Sequence, residues 1–162
     1  SRLMASAVDP ANTSVLEIGA GTGAVTRALL ERNVRPDNLL IIERDPSLVA
    51  FLRREFPGVR VRCGEAVHAG RILSSESAGK VDSVVSSLPL RNFALDDRIR
   101  NVQAMIGALA QGGQLIQFTY ATGCPIPSRR LGLEAERLGR VWLNLPPASV
   151  WRFTVPPPVS QG

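Results

Sequence analysis

Cysteine, histidine, lysine and aromatic residues are all scarce in this chain of 162 residues. The two cysteines, Cys63 and Cys124, are widely separated, which excludes a disulfide framework and the paired spacing of a structural metal site, so we predict no metal. No apolar run approaches the roughly 20 residues that a membrane-spanning helix requires, and the first residues lack the charged and apolar regions of a secretory signal. We therefore expect a globular, cytoplasmic protein of one domain.

Positive charge comes almost entirely from arginine. Lysine and arginine total 19 against 14 acidic residues, which gives a net charge of +5, and Lys80 is the only lysine. A basic surface attracts phosphate, whether of nucleic acid or of anionic lipid. The arginines are scattered, with short pairs at Arg53-Arg54 and Arg129-Arg130, so a general preference for arginine on solvated faces explains the charge equally well.

Short apolar runs alternate with helical patterns along the chain. The predicted strands lie at 15–18, 39–43, 59–63, 81–87, 114–120, 141–145 and 149–155, and the predicted helices at 24–32, 46–56, 69–76, 96–111 and 131–138. This alternation predicts an α/β fold with a doubly wound, mostly parallel sheet and helices on both faces. The last two strands are too close for a crossover helix, so they should form an antiparallel hairpin. We expect one domain over 1–155 and a flexible tail at 156–162.

The most informative segment is V-L-E-I-G-A-G-T-G at 15–23, which leads directly into a helix. Glycines allow the backbone to turn tightly and approach a ligand, while the first N–H groups of the helix can receive a polar group. Gly19, Gly21 and Ala24 satisfy the dinucleotide pattern G-x-G-x-x-G/A, but that match alone is weak. Glu17 would repel a pyrophosphate, whereas it would attract a ligand that carries a cationic amine and a sulfonium.

This segment resembles motif I of the class I S-adenosylmethionine-dependent methyltransferases, which has the form E/D-x-G-x-G-x-G. The resemblance implies a Rossmann-like, mostly parallel sheet of seven strands with an antiparallel last strand. It also implies S-adenosyl-L-methionine as cofactor and S-adenosyl-L-homocysteine as product. The cofactor-binding residues that it places in this segment are Glu17, Gly19, Ala20, Gly21, Thr22 and Gly23.

Further candidates for cofactor binding follow the next strands, because ligands of doubly wound sheets bind at the carboxyl ends of the strands. Glu43 ends the second strand, where a carboxylate can accept hydrogen bonds from both ribose hydroxyls. The family places its ribose-binding acid there, next to Arg44. Gly64-Glu65-Ala66 ends the third strand and matches a G-D-A type sequence whose acid accepts from the adenine amino group. Ser86, near the end of the fourth strand, completes the set.

The segment S-S-L-P-L at 86–90 lies where amino-directed methyltransferases carry an N/D/S-P-P-Y or N-L-P-Y loop. That loop presents a side-chain oxygen and a backbone carbonyl to a substrate nitrogen, which is catalysis by positioning. We therefore predict Ser87 and Pro89 as catalytic residues. Tyr120, at the end of the fifth strand, is a third candidate that orients the amine or a headgroup phosphate, unless it is an ordinary half-buried aromatic. Leu90 stands directly after Pro89 where the family loop has an aromatic residue, which argues against a stacked base.

Three stretches make the chain similar to the bacterial phospholipid N-methyltransferases, relatives of the rRNA adenine dimethyltransferases. They are V-V-S-S-L-P-L-R-N-F at 84–93, Q-F-T-Y at 117–120 and N-L-P-P-A at 144–148. We interpret 144–147 as the turn between the late strands. The resemblance implies stepwise methylation of the phosphatidylethanolamine amine, with a phospholipid partner at an anionic membrane surface and a peripheral location on its inner face. The N-terminal helix that docks such enzymes is absent here or reduced to 1–8, and we expect a monomer.

Two alternatives remain open. The basic charge favours an rRNA adenine N6-dimethyltransferase-like enzyme, although nucleic acid is the less expected partner because the ring after Pro89 is missing. A methyltransferase fold without activity, acting as a cofactor-binding or interaction module, is the second alternative. The intact Glu17, Glu43 and three glycines argue against it.

Overall fold

A computed structural model describes residues 1–11, 13–121, 123–141 and 147–157. The strands among these residues are β1 (Val15–Ile18), β2 (Leu39–Glu43), β3 (Arg60–Cys63), β4 (Val81–Ser86), β5 (Leu109–Thr119), β6 (Glu134–Val141) and β7 (Ala148–Thr154). The α-helices are α1 (Arg2–Ser6), α2 (Ala24–Glu31), α3 (Pro46–Glu55), α4 (Ala69–Ser75) and α5 (Leu95–Gly107).

The seven strands form one sheet in the order β3-β2-β1-β4-β5-β7-β6. Strands β1 to β5 pair in parallel, whereas β7 is antiparallel to both β5 and β6. This confirms the predicted fold class, a Rossmann-like sheet that is mostly parallel and ends in an antiparallel hairpin. The strand order reverses between β1 and β4, and doubly wound sheets bind their ligands beside such a reversal.

Helices cover both faces of the sheet, so the central strands are apolar on both sides. In β2, Leu39 and Ile41 belong to one buried cluster and Leu40 and Ile42 to the other. The first cluster also contains residues of α1, α2 and α3, and the second contains residues of α4 and α5. The continuous apolar runs in the sequence follow from this double burial.

Helix α3 begins where the sequence predicts. The Asp45 carboxylate accepts hydrogen bonds from the backbone N–H of Ser47 at 2.7 Å and of Leu48 at 3.4 Å, and Pro46 occupies the first turn. Bonds from the Ser47 side chain and backbone lower the pKa of Asp45. The acid satisfies helix donors that have no partner within the helix, which fixes the orientation of α3 relative to β2.

The predicted end of the fifth helix is wrong. Helix α5 ends at Gly107 instead of continuing to Gly112-Gly113, and β5 begins at Leu109, which pairs with Val81. The register between β4 and β5 then shifts, and the next paired residues are Ser83 and Gln114. Gly112 has a positive φ of 77°, and a Cβ on Gly113 would lie 3.0 Å from the Asp82 carbonyl oxygen. The two glycines therefore form a bulge within a strand.

The helix predicted at 131–138 is also wrong, because residues 134–138 belong to strand β6 and Leu131 is the last residue of a short 3₁₀-helix (Ser128–Leu131). Leu131, Ala135 and Leu138 have helical spacing, but the register between β6 and β7 shifts between Arg137 and Gly139. An extra residue at that shift breaks the alternation of a regular strand and imitates a helical period. Val141, the first residue of the strand predicted at 141–145, is the last residue of β6. Residues 142–146, with most of the predicted 144–147 turn, lie outside the described residues, as do 158–162 of the predicted tail.

Helix α1 is part of the fold and not a free amphipathic segment. Met4, Ala5 and Val8 are buried in the first cluster, and the Gln114 amide donates to the Ala7 carbonyl at 2.8 Å. The apolar side of α1 therefore packs on the sheet. In the described part of the chain, no helix is both long enough and apolar enough to cross a bilayer.

Candidate active site

A cavity of about 680 Å³ opens at the carboxyl ends of β1, β2 and β3, and α5 and the loop after β4 complete its wall. Predicted cofactor residues in this wall are Gly19, Glu43, Arg44, Gly64, Glu65 and Ala66. Leu88 and Pro89 line the opposite side. We call this space the first cavity. It lies beside the reversal of strand order, as the strand-end rule predicts.

The glycines of the 19–23 loop have different physical roles, although all three have positive φ. A Cβ on Gly23 would lie 2.3 Å from Cε2 of Phe56, so this glycine lets α3 pack against the start of α2. A Cβ on Gly19 would lie 3.2 Å from Cδ2 of Leu88, so this glycine lets the loop after β1 meet the loop after β4. At Gly21 a Cβ would meet nothing within 4 Å, which leaves open space above the loop.

Glu43 ties the glycine loop to the end of β2. Its Oε2 accepts from the Gly21 N–H at 3.0 Å, and its Oε1 accepts from the N–H of Arg44 at 2.7 Å and of Asp45 at 3.0 Å. The residue is only 8% exposed, and it lines the first cavity. A carboxylate has about four acceptor positions, so Glu43 can hold the loop and still accept from a ligand hydroxyl.

Glu17 lies beneath the loop and does not line the first cavity. It is fully buried, and its Oε2 accepts from the Thr26 hydroxyl at 2.7 Å. Burial raises the pKa of Glu17 to about 7, although the hydrogen bonds from Thr26 have the opposite effect and lower it. Its Oε1 has no hydrogen-bond partner among the described residues. A nearby anion would make ionisation of this buried acid still less favourable, whereas a nearby cation would stabilise its charged form, so this position fits a sulfonium nucleoside better than a pyrophosphate.

The buried Glu17 makes stability depend on pH. The folded state holds the Glu17 proton up to pH 7, whereas the unfolded chain releases it near the ordinary value of 4.5. Raising the pH through this window therefore lowers the free energy of unfolding, by about 3 kcal/mol in total. We expect Glu17→Gln to remove this decline. Urea titrations of both proteins at pH 5 and pH 8 measure it, and an equal decline in both would contradict the assignment.

The remaining predicted cofactor residues, Ala20, Gly21, Thr22, Gly23 and Ser86, also lie outside the cavity wall. Ser86 is fully buried, and its hydroxyl accepts from the Leu88 N–H at 3.3 Å. This hydrogen bond helps to fix the conformation of the loop after β4. Direct contact of these residues and Glu17 with the cofactor stays a prediction.

A second cavity, of about 520 Å³, lies on the other side of the loop after β4. The structure brings the three predicted catalytic residues, Ser87, Pro89 and Tyr120, together in its wall, and Leu88 and Pro89 line both cavities. The Tyr120 side chain is 60% exposed and meets the Phe118 ring edge-on, with 4.7 Å between the ring centroids. The loop after β4 therefore lies between the first and the second cavity. In this position it can orient a ligand in one cavity towards a ligand in the other.

The Ser87 hydroxyl makes no hydrogen bond within the described residues, so it is available to a ligand. The Leu88 carbonyl, in contrast, accepts from Gln117 Nε2 at 2.9 Å and from the Leu90 N–H at 2.8 Å, which occupies both of its lone pairs. Pro89 closes the second of these bonds with φ −76° and ψ 64°, an inverse γ-turn. Within this loop, Ser87 is the better placed acceptor for a substrate amine.

Two residues that sequence reasoning missed hold the loop in place. Gln117 is fully buried in β5 and binds the Leu88 carbonyl. From α5, Arg98 donates to the carbonyls of Leu90 at 2.8 Å and Arg91 at 3.2 Å. A glutamine within the apolar run 115–118 was the available signal for the first, whereas Arg98 resembles any arginine on an exposed helix face.

Comparison with known protein families identifies the family of this chain. The sequence model of a family described as methyltransferase domain matches residues 16–115, well over half of the chain. The chain belongs to this methyltransferase family. This confirms the predicted class, the S-adenosylmethionine-dependent methyltransferases, and with it the predicted cofactor.

Relatives of this methyltransferase domain differ in substrate. An ornithine lipid N-methyltransferase of Singulisphaera acidiphila is 32% identical over 65% of the chain and 56% of the relative. Ribosomal RNA small subunit methyltransferase A of Thiobacillus denitrificans is 31% identical over 93% of the chain and 58% of the relative. The chain thus spans less than two thirds of either protein. A TehB-like methyltransferase of Corynebacterium glutamicum shares the fold, with a TM-score of 0.70, 21% identity, and coverage of 96% of this chain and 86% of that one.

Proposed function

We propose that this chain is the catalytic domain of an S-adenosylmethionine-dependent N-methyltransferase that acts on the amine of phosphatidylethanolamine and its methylated derivatives. The observation that carries the proposal is the unpartnered Ser87 hydroxyl on a loop that lines two cavities. The 32% identity to a lipid N-methyltransferase supports an amine lipid as substrate. The net charge of +5 suits a peripheral position on an anionic membrane surface.

The first cavity is the cofactor site in this proposal. Glu43 accepts from a ribose hydroxyl, Glu65 or the backbone around it accepts from the adenine amino group, and the open space above Gly21 admits the amino acid part. When bound, S-adenosylmethionine supplies an electrophilic methyl group on a sulfonium. The acidic residues Glu43, Glu65 and Asp97 outnumber the basic residues Arg44 and Arg100 in the wall, which suits a cationic ligand.

The second cavity receives the amine. Ser87 Oγ accepts a hydrogen bond from the nitrogen and orients its lone pair past Leu88 and Pro89 towards the first cavity. The apolar walls formed by Leu88, Pro89 and Phe118 disfavour the charged ammonium, so the amine enters in its neutral, nucleophilic form. The chemistry needs no covalent enzyme intermediate, and positioning supplies the rate enhancement.

Ser87→Ala tests the positioning role. We expect kcat to fall by about 10- to 100-fold, because the amine loses the acceptor that orients it, while the dissociation constant for S-adenosylmethionine stays unchanged. Initial-rate kinetics and calorimetry measure the two quantities. Ser74→Ala is the control, since Ser74 is exposed on α4 and bonds only to its own helix. Equal kcat in the Ser87 variant and the control would remove Ser87 from the catalytic residues.

Methylation of an adenine amino group in RNA is the second candidate function. The 31% identity over 93% of the chain supports it, and the rings of Phe118 and Tyr120 in the second cavity offer a surface on which a base can stack. Against it, Leu90 occupies the aromatic position of the N-L-P-Y loop and is buried in the core, so it cannot hold a base.

Radiolabelled S-adenosylmethionine distinguishes the two substrates. The protein is incubated with phosphatidylethanolamine vesicles or with RNA that lacks adenine methylation, and label is counted in the organic and aqueous phases. The proposal predicts label in extracted lipid that depends on Ser87. Label in RNA alone would replace lipid by RNA as the substrate.

A further inference from the structure

The second cavity contains a cation that the methyl transfer itself does not use. Arg91 is exposed and is the only charged residue among the described residues that line this cavity. Its guanidinium makes no hydrogen bond or ion pair within the described part of the chain, whereas its backbone carbonyl is fixed by Arg98 from α5. The backbone is therefore held while the cationic side chain remains available to a ligand.

Arg91 and Ser87 stand on either side of the tight Pro89 turn and line the same cavity. We propose that Arg91 binds an anionic group of the acceptor, so that the substrate class is an amphiphile whose amine lies a few bonds from a phosphate or a carboxylate. This inference rests on the proposed function and names the feature by which the site selects its acceptor. A guanidinium can bind a phosphate or a carboxylate through two parallel hydrogen bonds.

The positive charge of Arg91 also predicts which acceptors bind poorly in the second cavity. A purely cationic acceptor, such as a polyamine or a protein lysine, meets only the like charge of Arg91, because no acidic residue is among the described lining residues. In a headgroup that carries both an anion and an amine, the anion pairs with Arg91 and the amine donates a hydrogen bond to Ser87. In an adenine nucleotide, by contrast, a ring and a sugar separate the amino group from its phosphate, so the two groups are not a few bonds apart.

Exposed Tyr120 and neighbouring Phe118 continue the wall beyond the polar groups. A tyrosine with one apolar side and one polar tip is favoured at a membrane interface. The apolar part of an amphiphilic acceptor can lie against these rings while its headgroup enters the cavity. This arrangement favours a lipid over a free, water-soluble amine of the same charge.

Three acceptors in neutral carrier vesicles test the proposal: phosphatidylethanolamine, a lipid with a carboxylate beside its amine, and a long-chain amine without an acid. We expect Arg91→Gln to raise KM about 10-fold for the acceptors that carry the recognised anion, with little change in kcat. KM for the acid-free amine should not rise and is expected to fall, because the variant removes a like charge from the cavity, and Arg91→Lys should restore part of the loss seen with the anionic acceptors. A rise with only the first or only the second lipid identifies phosphate or carboxylate as the anion.

Arg54→Gln is the matched control, because Arg54 is exposed on α3, lines neither cavity and carries the same charge. Equal KM in wild type and Arg91→Gln, or an equal loss with the acid-free amine, would overturn the proposal. A readout without turnover separates it from the proposed function: calorimetric binding of glycerophosphoethanolamine, of a water-soluble amine with a carboxylate beside it, and of ethanolamine in the presence of S-adenosylhomocysteine. The proposal requires that at least one of the two anionic compounds binds, that ethanolamine does not, and that Arg91→Gln weakens the binding. Absence of methylated lipid would refute the proposed function alone, whereas absence of this binding would refute the role of Arg91.

Discussion

Replacing Glu43 with alanine should weaken S-adenosylmethionine binding by about 100-fold, or about 3 kcal/mol. The carboxylate holds the glycine loop through the Gly21 N–H and lines the first cavity, so its removal both loosens the loop and deletes the acceptor for the ribose. Hydrogen bonds to a charged group contribute about 1.5 to 3 kcal/mol each. Isothermal titration calorimetry measures the change directly.

The Glu43 effect needs controls for folding and for charge. Glu55→Ala removes an exposed acid that pairs with Arg27 at the surface, and it should leave the affinity unchanged. Glu43→Gln preserves the size of the side chain and separates loss of the carboxylate from loss of packing. Cofactor affinity of Glu43→Ala equal to that of Glu55→Ala, in a folded protein, would remove Glu43 from the binding site.

Gly23→Ala is expected to destabilise the protein by about 4 kcal/mol. The residue has a φ of 81°, which disfavours any Cβ, and the added methyl carbon would lie 2.3 Å from Phe56 Cε2 and 2.7 Å from Phe56 Cζ. The conformation costs about 1 to 2 kcal/mol, and displacement of a packed aromatic ring costs about 1 to 3 kcal/mol more. Urea unfolding measures the sum.

Gly132→Ala provides the matched comparison, since Gly132 has a φ of 65° but a Cβ there would meet nothing within 4 Å. This variant should lose only the conformational part, about 1 kcal/mol. The difference between the two variants isolates the contact between Gly23 and Phe56. Equal losses would mean that the start of α2 relaxes freely away from α3.

The parts of the fold that depend on local chemistry were predictable. Strand β2 has the predicted bounds, and α3 starts at the Asp45 cap, because an apolar run and a capping acid act within a few residues. The strand-end rule then located the first cavity at Glu43 and Gly64–Ala66. Each of these inferences uses residues that are close together in the sequence.

The errors occur where distant pairing overrides local pattern. Gly112-Gly113 ends a helix in most contexts, but here it lies opposite Asp82 and forms a bulge in β5. The apolar spacing from Leu131 to Leu138 is helical, but pairing with β7 makes a strand of the residues from Glu134 onward. A single sequence does not reveal which partner a segment will meet, so the bulges that pairing imposes were not predictable.

The same limit applies to the site. The sequence identified the loop at 86–90 from its residue types, but not that Gln117 and Arg98 would hold its carbonyls. It also identified Glu17 as an acid beside the glycine loop, but not that this residue would be buried under the loop and bond to Thr26. Such contacts join elements that are far apart in the chain, so only the folded arrangement reveals them.

The position of the cofactor is best measured in a crystal structure of the complex with S-adenosylhomocysteine. We expect the nucleoside in the first cavity, with its ribose at Glu43, its adenine near Glu65 and its sulfur facing the loop that carries Ser87. A nucleoside bound outside this cavity, or a ribose with no contact to Glu43, would show that the first cavity is not the cofactor site.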